Sequence, residues 1–396
     1  MAILKAFHSQ AGHVAGLRMR AILAWLCLLP ALRLKAEDLD SNCNLSESEG
    51  ADLALLQSSK LHDSSRSQAR LEALLQRASE ACPKATEECL LILSDVRDKV
   101  WPRVQEEANW SQPAWHPAWT DTEEAKGDVG CSQKKQTMYY RHTWKAAGHT
   151  VFENLKRIST HCNSTLEGRW YPSWCQDYNA ADGKDHVAFT FVRDPISRFI
   201  SAYAEIEGRM RRHLYVGLRK NLSTYEPGST QRAARFFEEF LRTGIHRDGH
   251  LKGQLEFMAP MFNCSVPMDF IGKTESMQQD WKRLFSRAGL KCLPAFDRSL
   301  GLHPNDEHDQ RAMEASLGLA DSESAGTPAL LQTSAIMRSM QVALKENGAR
   351  YLRALCWLYL ADFAALNFEL PLECQQGHLK STLLAVKPSL LLQRGS

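Results

Sequence analysis

The chain has 396 residues, 44% of them hydrophobic, an ordinary proportion for a globular protein and sufficient for a sizeable core. The length suits one large catalytic domain with an extension, or two domains. The formal net charge of +2 argues against a general nucleic-acid binder, because such proteins are usually strongly basic.

Taken in chain order, the first feature is an apolar run, Ala21 to Leu32, preceded by Arg18 and Arg20 and followed by Arg33 and Lys35. It is short for a membrane span and fits the core of a signal segment. Residues 1–36 are therefore read as a signal peptide cleaved after Ala36, or as a short uncleaved anchor that would give membrane association; a buried helix is the plainer alternative. Beyond Cys27 there are ten cysteines: Cys43, Cys82, Cys89, Cys131, Cys162, Cys175, Cys264, Cys292, Cys356 and Cys374. They lack the paired spacing of zinc sites, and no metal set is expected. An even set in an exported chain points to disulfides, with buried free thiols as the alternative. Cys82 with Cys89, and Cys162 with Cys175, are near enough to close short loops. Asn44, Asn109, Asn163, Asn221 and Asn263 each head an N-x-[ST] triplet, which favours a luminal or secreted glycoprotein.

Residues 37–125 read as a helical stem or accessory region. Leu71, Leu74 and Leu75 share one helical face within 67–76, and Leu90, Leu91, Leu93, Val96 and Val100 mark a second helix over 89–104. Joined near Pro83, these helices can form a hairpin clipped by Cys82 and Cys89. Trp110, Trp115 and Trp119 follow, interleaved with Pro113 and Pro117; packing against the main domain is the commoner use of such residues, glycan binding the rarer.

From about residue 130 short apolar strands alternate with amphipathic helices, the pattern of an α/β domain with a largely parallel sheet. Two motifs carry chemistry. In the first, a strand-like stretch (137–143) runs into Lys145-Ala146-Ala147-Gly148-His149-Thr150 and then a helix-like stretch (151–158). Small side chains let backbone N–H groups approach phosphate oxygens, and a helix N-terminus adds a favourable dipole. An ordinary turn would read similarly. The order is not that of a Walker A loop, because the Lys precedes the Gly. In the second, the buried-strand pattern 187–192 runs into Arg193-Asp194-Pro195 and a helix with Phe199, Ile200, Tyr203 and Ile206 on its apolar side. Asp194 suits the N-cap and Pro195 the first helical position. Arg193 then stands at the carboxyl end of a strand, where α/β folds bind ligands, with Ser201 about two turns on. A guanidinium with a hydroxyl suits a phosphate monoester; a structural ion pair is the alternative.

The run FTFVRDPISRFISAY resembles the 3′-phosphate motif of Golgi-type carbohydrate sulfotransferases, which use the donor PAPS (3′-phosphoadenosine 5′-phosphosulfate) and release PAP. KAAGHT stands at the place of their 5′-phosphosulfate loop. Two later stretches are also similar, MDFIGKTESMQQDW (268–281) and LCWLYLADFAALNFELP (355–371), and His250 and Gln254 fall where that family often has a His and a Gln. The resemblance spans about 130–374. It implies a sulfotransferase domain over 130–375. By composition, residues 304–330, rich in Asp, Glu, Ser, Ala and Gly, read as a surface insertion or mobile loop, and 376–396 read as a tail. The implied fold is a three-layer α/β/α domain with a central parallel sheet and a P-loop-like PAPS site, preceded by the stem. Trp144, where many relatives have Pro, and His149, unusual in a tight phosphate loop, depart from the pattern.

What the resemblance implies about roles follows from those positions. Lys145, Gly148, His149 and Thr150 would bind the 5′ end of PAPS, and Arg193 and Ser201 the 3′-phosphate. Lys145 would also stabilise the departing phosphate, with no metal needed. His161 is the expected general base, with His142, His186, His250 and Glu205 as rivals. The acceptor would be a glycan hydroxyl; the basic stretch Arg209, Arg211, Arg212, His213, Arg219 and Lys220 suits an anionic one, or is a solvated surface. A Golgi or secreted location follows, with no nucleic-acid partner. A nucleotide kinase and a non-catalytic glycan-binding glycoprotein are the competing classes.

Overall fold

In the computed structural model the described residues are 65–109, 123–129, 136–161, 166–170, 186–211, 215–243, 249–259, 266–290, 294–300, 329–375 and 378–386. The N-terminal apolar run, the Trp-rich stretch, Cys162, Cys175 and most of 304–330 lie outside them. By its contacts the chain divides after Ser67, and Gln68–Ser396 is the unit described below.

Helix α1 (65–81) and helix α2 (Glu88–Ala108) form the expected hairpin. Leu71, Leu74, Leu75 and Ala78 of α1 are buried, as are Ile92, Leu93, Val96, Val100 and Val104 of α2, each set at helical spacing. The Cys82–Cys89 disulfide clips the connection. Asn109 ends α2 in a left-handed conformation (φ 53°), and its N–H donates to the carbonyls of Gln105 and Glu106.

Strands β1 (Glu123–Val129), β2 (Gln136–Arg141), β3 (Leu166–Trp170), β4 (His186–Val192) and β5 (Phe270–Lys273) form one sheet in the order β3-β1-β2-β4-β5. Only β2, β4 and β5 are parallel neighbours. The expected parallel sheet is thus present in three strands, and β1, antiparallel to both β2 and β3, extends it into a mixed sheet. The reason is chain length. Six residues separate β1 from β2, too few for the crossover of a dozen or more that a parallel pair requires.

Residues of the parallel strands divide alternately between two hydrophobic clusters, as the two-residue period of a strand demands. Met138, Tyr140, Val187, Phe189, Phe191 and Phe270 join one cluster with Val151, Leu155 and Ile158 of helix α3 (Gly148–His161) and Trp281, Leu284 and Phe285 of helix α7 (Met277–Arg287). Tyr139, Ala188, Val192 and Ile271 join the other. There they meet helix α4 (Pro195–Arg211), α6 (Thr230–Thr243) and α8 (Ala329–Leu358), together with α1 and α2. The short α5 (Val216–Leu222) lies between α4 and α6 in sequence. Helix α9 (Leu360–Ala365) follows α8, and the Cys356–Cys374 disulfide ties its exit back to the end of α8. Part of the segment read as a tail is helical: α10 (His378–Ala385) contributes Leu379 to the same cluster.

Candidate active site

β2 and β4 are parallel neighbours, so the chain leaves both at the same edge of the sheet. The loop carrying Lys145 follows β2, and Arg193 follows β4. β5 ends beside them, with Val192 paired to Lys273. This is the carboxyl edge at which open α/β sheets take ligands.

The loop is shaped by an uncommon backbone. Lys145 (φ 64°) and Ala147 (φ 60°) are both left-handed without being glycine, which costs of order 1–2 kcal/mol each. The N–H of Ala146 donates to the Thr143 carbonyl, and the N–H of Val151 to that of Ala147, so α3 starts directly from the loop. Gly148 is required by its surroundings: a Cβ there would lie 1.8 Å from His142 Nε2. His142 is thus tucked beneath the start of α3. Burial, with the nearby His149, Lys145 and His250, pushes its pKa down to about 3 and keeps it neutral. Farther along α3 the buried Asn154 fixes the helix, its amide donating to the carbonyls of Thr150 and Asp297 (2.8 Å each) and accepting from the Asp297 N–H. His149 is exposed and Thr150 half-buried.

Lys145 reaches α4. Its Nζ lies 3.3 Å from Glu205 Oε2, both side chains about one-quarter exposed. Arg209 Nε donates to Glu205 Oε1 (2.8 Å), and Arg209 Nη2 lies 3.3 Å from His250 Nε2. The His250 ring packs on Trp144 at 4.4 Å between centroids. Burial raises the Glu205 pKa, but Lys145, then the hydrogen bond and charge of Arg209, and then His250 outweigh it and hold the carboxyl at about 2. Ser201, Glu205 and Arg209 recur every four residues along α4, so they share one face of it. Lys145 meets the middle member of that stripe, which brings the loop against the helix bearing Ser201.

At the exit of β4, Asp194 caps α4 as expected, accepting from the Ser197 N–H at 2.8 Å. The Asp194 N–H donates to Glu275 Oε1 (2.8 Å), just past β5. Arg193 is gripped by its backbone: its N–H donates to Gln254 Oε1 (2.8 Å), and its carbonyl accepts from Gln254 Nε2 (2.7 Å). Its half-buried guanidinium makes no side-chain hydrogen bond or ion pair among the described residues. Burial lowers its pKa, while Glu275 and Asp194 oppose that shift.

Residues 128–343, more than half of the chain, match the family model described as Sulfotransferase family. The chain belongs to the sulfotransferase family. No curated protein and no solved structure matches it. In this sulfotransferase the matched span contains all the parallel strands, the Lys145 loop, Arg193 and Ser201, and it supports sulfuryl transfer as the chemistry. Members of the family generally use PAPS.

The sulfotransferase site also rests on residues that the sequence did not single out. Arg198, buried on α4, donates to the carbonyls of Trp144 (2.9 Å), Lys252 (2.6 Å) and Gly249 (3.2 Å), joining the Lys145 loop to the segment that carries Gln254. Asp362 of α9 accepts from the N–H groups of Gln254 (2.7 Å) and Leu255 (3.0 Å). The available signal was a charged residue set among buried apolar ones: Arg198 beside Phe199 and Ile200, Asp362 beside Phe363. His161 closes α3, thirteen residues after Gly148 and so about 20 Å along the helix; its side chain is outside the described residues.

Proposed function

We propose that this sulfotransferase transfers a sulfuryl group from PAPS to a carbohydrate hydroxyl in the secretory pathway. The observation that carries the reading is the emergence of the Lys145 loop and Arg193 from adjacent parallel strands at one sheet edge, inside the family match. The 5′ end of the donor would lie on the loop N–H groups with Lys145, Gly148, His149 and Thr150, and the 3′-phosphate on Arg193 and Ser201. As the S–O bond to the donor phosphate breaks, the Lys145 ammonium offsets the charge left on that phosphate. The new S–O bond forms to the acceptor oxygen, whose proton must go to a base.

The geometry favours Glu205 as that base. It touches Lys145, whereas His161, implied by the resemblance, closes the other end of α3. A carboxylate held at about 2 accepts protons poorly, but Lys145 is the strongest influence lowering it. Lys145 turned onto the donor would leave Glu205 more basic. No step of this scheme passes through a metal. A three-layer arrangement with a P-loop-like site is supported by the two clusters, fed by alternate strand residues, and by the loop leading into α3. Secretory placement is supported by two disulfides and by exposed Asn109 and Asn221 in glycosylation triplets. A glycan acceptor, anionic in the version that uses the basic stretch, rests on the motif resemblance and on that stretch.

The test is calorimetric titration of the full-length protein with PAP and with ATP, beside Arg193→Ala. PAP should bind, ATP should bind much more weakly, and Arg193→Ala should lose PAP. ATP preference would point to a kinase, and absence of PAP binding to a glycan-binding role. With labelled PAPS and a glycan acceptor, Glu205→Gln should lose turnover about 10²-fold or more while retaining PAP affinity. The same loss in His161→Ala instead would return the base to His161.

A further inference from the structure

We propose that Gln254 and Asp362 are positioning residues for the 3′-phosphate site, acting through the backbone of Arg193. The inference rests on the reading of Arg193 as the 3′-phosphate ligand. It adds a support that begins in α9, beyond the 343 at which the family match ends.

Arg193 is the first residue past β4, and the β5 ladder stops at the Val192–Lys273 pair. Among the described residues no neighbouring strand holds its peptide groups there. Gln254 takes the place of a strand, since one side-chain amide offers an acceptor to the Arg193 N–H and a donor to its carbonyl. With both peptide groups fixed, the direction in which the Arg193 side chain leaves the backbone is fixed as well.

Gln254 has no freedom of its own. It is fully buried, and its backbone N–H and that of Leu255 are taken by the two carboxylate oxygens of Asp362, itself 2% exposed. The segment around it is fastened on several sides. Arg198 holds the carbonyls of Gly249 and Lys252, Tyr359 Oη donates to the Leu251 carbonyl (2.6 Å), and Arg141 Nη1 donates to the Phe257 carbonyl (3.0 Å). The chain of support therefore runs from Asp362 through Gln254 to Arg193. Every link is a hydrogen bond of 3.0 Å or less. A guanidinium must be held within a few tenths of an ångström to meet a phosphate with two parallel bonds.

The experiment is a double-mutant cycle read with two ligands on the full-length protein. PAP carries the 3′-phosphate and 5′-AMP does not. Gln254→Ala removes two hydrogen bonds from the Arg193 backbone and should weaken PAP binding about tenfold to hundredfold. It should leave 5′-AMP affinity within about threefold of wild type, because that ligand does not use Arg193. Gln254→Ala combined with Arg193→Ala should bind PAP no more weakly than Arg193→Ala alone. Gln254→Glu keeps an acceptor for the Arg193 N–H but loses the donor to its carbonyl, and should fall between wild type and Gln254→Ala. If Gln254→Ala does not fold, as judged by its unfolding transition, the same two-ligand cycle is run with Gln254→Glu. A parallel loss of PAP and 5′-AMP affinity, or losses that add to that of Arg193→Ala, would overturn the proposal and leave Gln254 a general structural residue. PAP affinity lost in Arg193→Ala but intact in the Gln254 variants would overturn it as well. Undiminished PAP binding by Arg193→Ala would overturn the reading of Arg193, and this inference with it.

Discussion

At the residue scale, the Lys145 loop is determined by what each position excludes. Gly148 has no Cβ because His142 occupies that space, and His142 stays neutral because burial and three basic neighbours disfavour a further charge. Gly148→Ala should force the loop to move, at about 1–3 kcal/mol for the overlap, and should weaken PAP binding. Calorimetry on Gly148→Ala and on Gly148→Ala with His142→Ala decides whether this contact is the cause. The second change removes the ring and should restore part of the affinity; equal affinity in the two variants would show that the glycine serves something else. The KAAGHT string showed the small residues and the Lys, but not that Lys145 and Ala147 are left-handed or that a His six residues before Gly148 folds back beneath it. Those facts depend on contacts between residues that the string does not pair.

At the element scale, the two strand-to-helix units were legible for a physical reason. β4 is buried and, apart from Thr190, apolar from Val187 to Val192 because both its faces are covered, and Asp194-Pro195 marks the start of α4 by capping chemistry that needs no tertiary partner. Asp194→Ala should cost about 1 kcal/mol, seen as a lower urea midpoint with an unchanged slope. A midpoint equal to wild type would mean that the cap is made by another group. β1 and β3 were not legible: EEAKGDV and LEGRW have few apolar residues, and their places come from ladder pairing at the end of the sheet. The long α8 and the helix after Cys374 were also not foreseen. α8 buries Ile336, Met340, Ala343 and Leu344 at helical spacing, a signal that was present in the sequence next to the acidic, Ser-rich segment read as an insertion.

At the scale of the whole molecule, the C-terminal helices belong to the same apolar cluster as α1, α2 and α4, and through Asp362 they reach the site. That link should make stability depend on pH. Burial, against the hydrogen bonds of Gln254 and Leu255 and the charge of Arg198, and helped by Glu256, raises the Asp362 pKa from its usual 3.8 to about 6. Between those values the folded chain holds a proton that the unfolded chain has lost. The contribution of Asp362 is therefore fully present below about 3.8 and is lost as pH rises through about 6. Glu205 has the opposite sign: held at about 2 against a usual 4.5, its contribution is present above 4.5 and is lost as pH falls toward 2. Asp362→Asn should consequently narrow its stability deficit relative to wild type as pH is raised from 4.5 to 6.5, measured by denaturant unfolding at each pH. A deficit that is constant over that range would show that Asp362 does not titrate there. The sequence by itself determined the local pieces: the helical hairpin and its Cys82–Cys89 clip, the Lys145 loop before α3, and Arg193 between β4 and a capped helix. Each of these is specified by residues that follow one another in the chain, through periodicity, capping and loop chemistry. Only the tertiary structure decided that Glu205 faces Lys145, that Arg198 ties the loop to the segment 249–252, and that Asp362 and Gln254 hold Arg193. Those contacts join residues 51 to 108 positions apart, and their partners are chosen by which elements the packed core brings together.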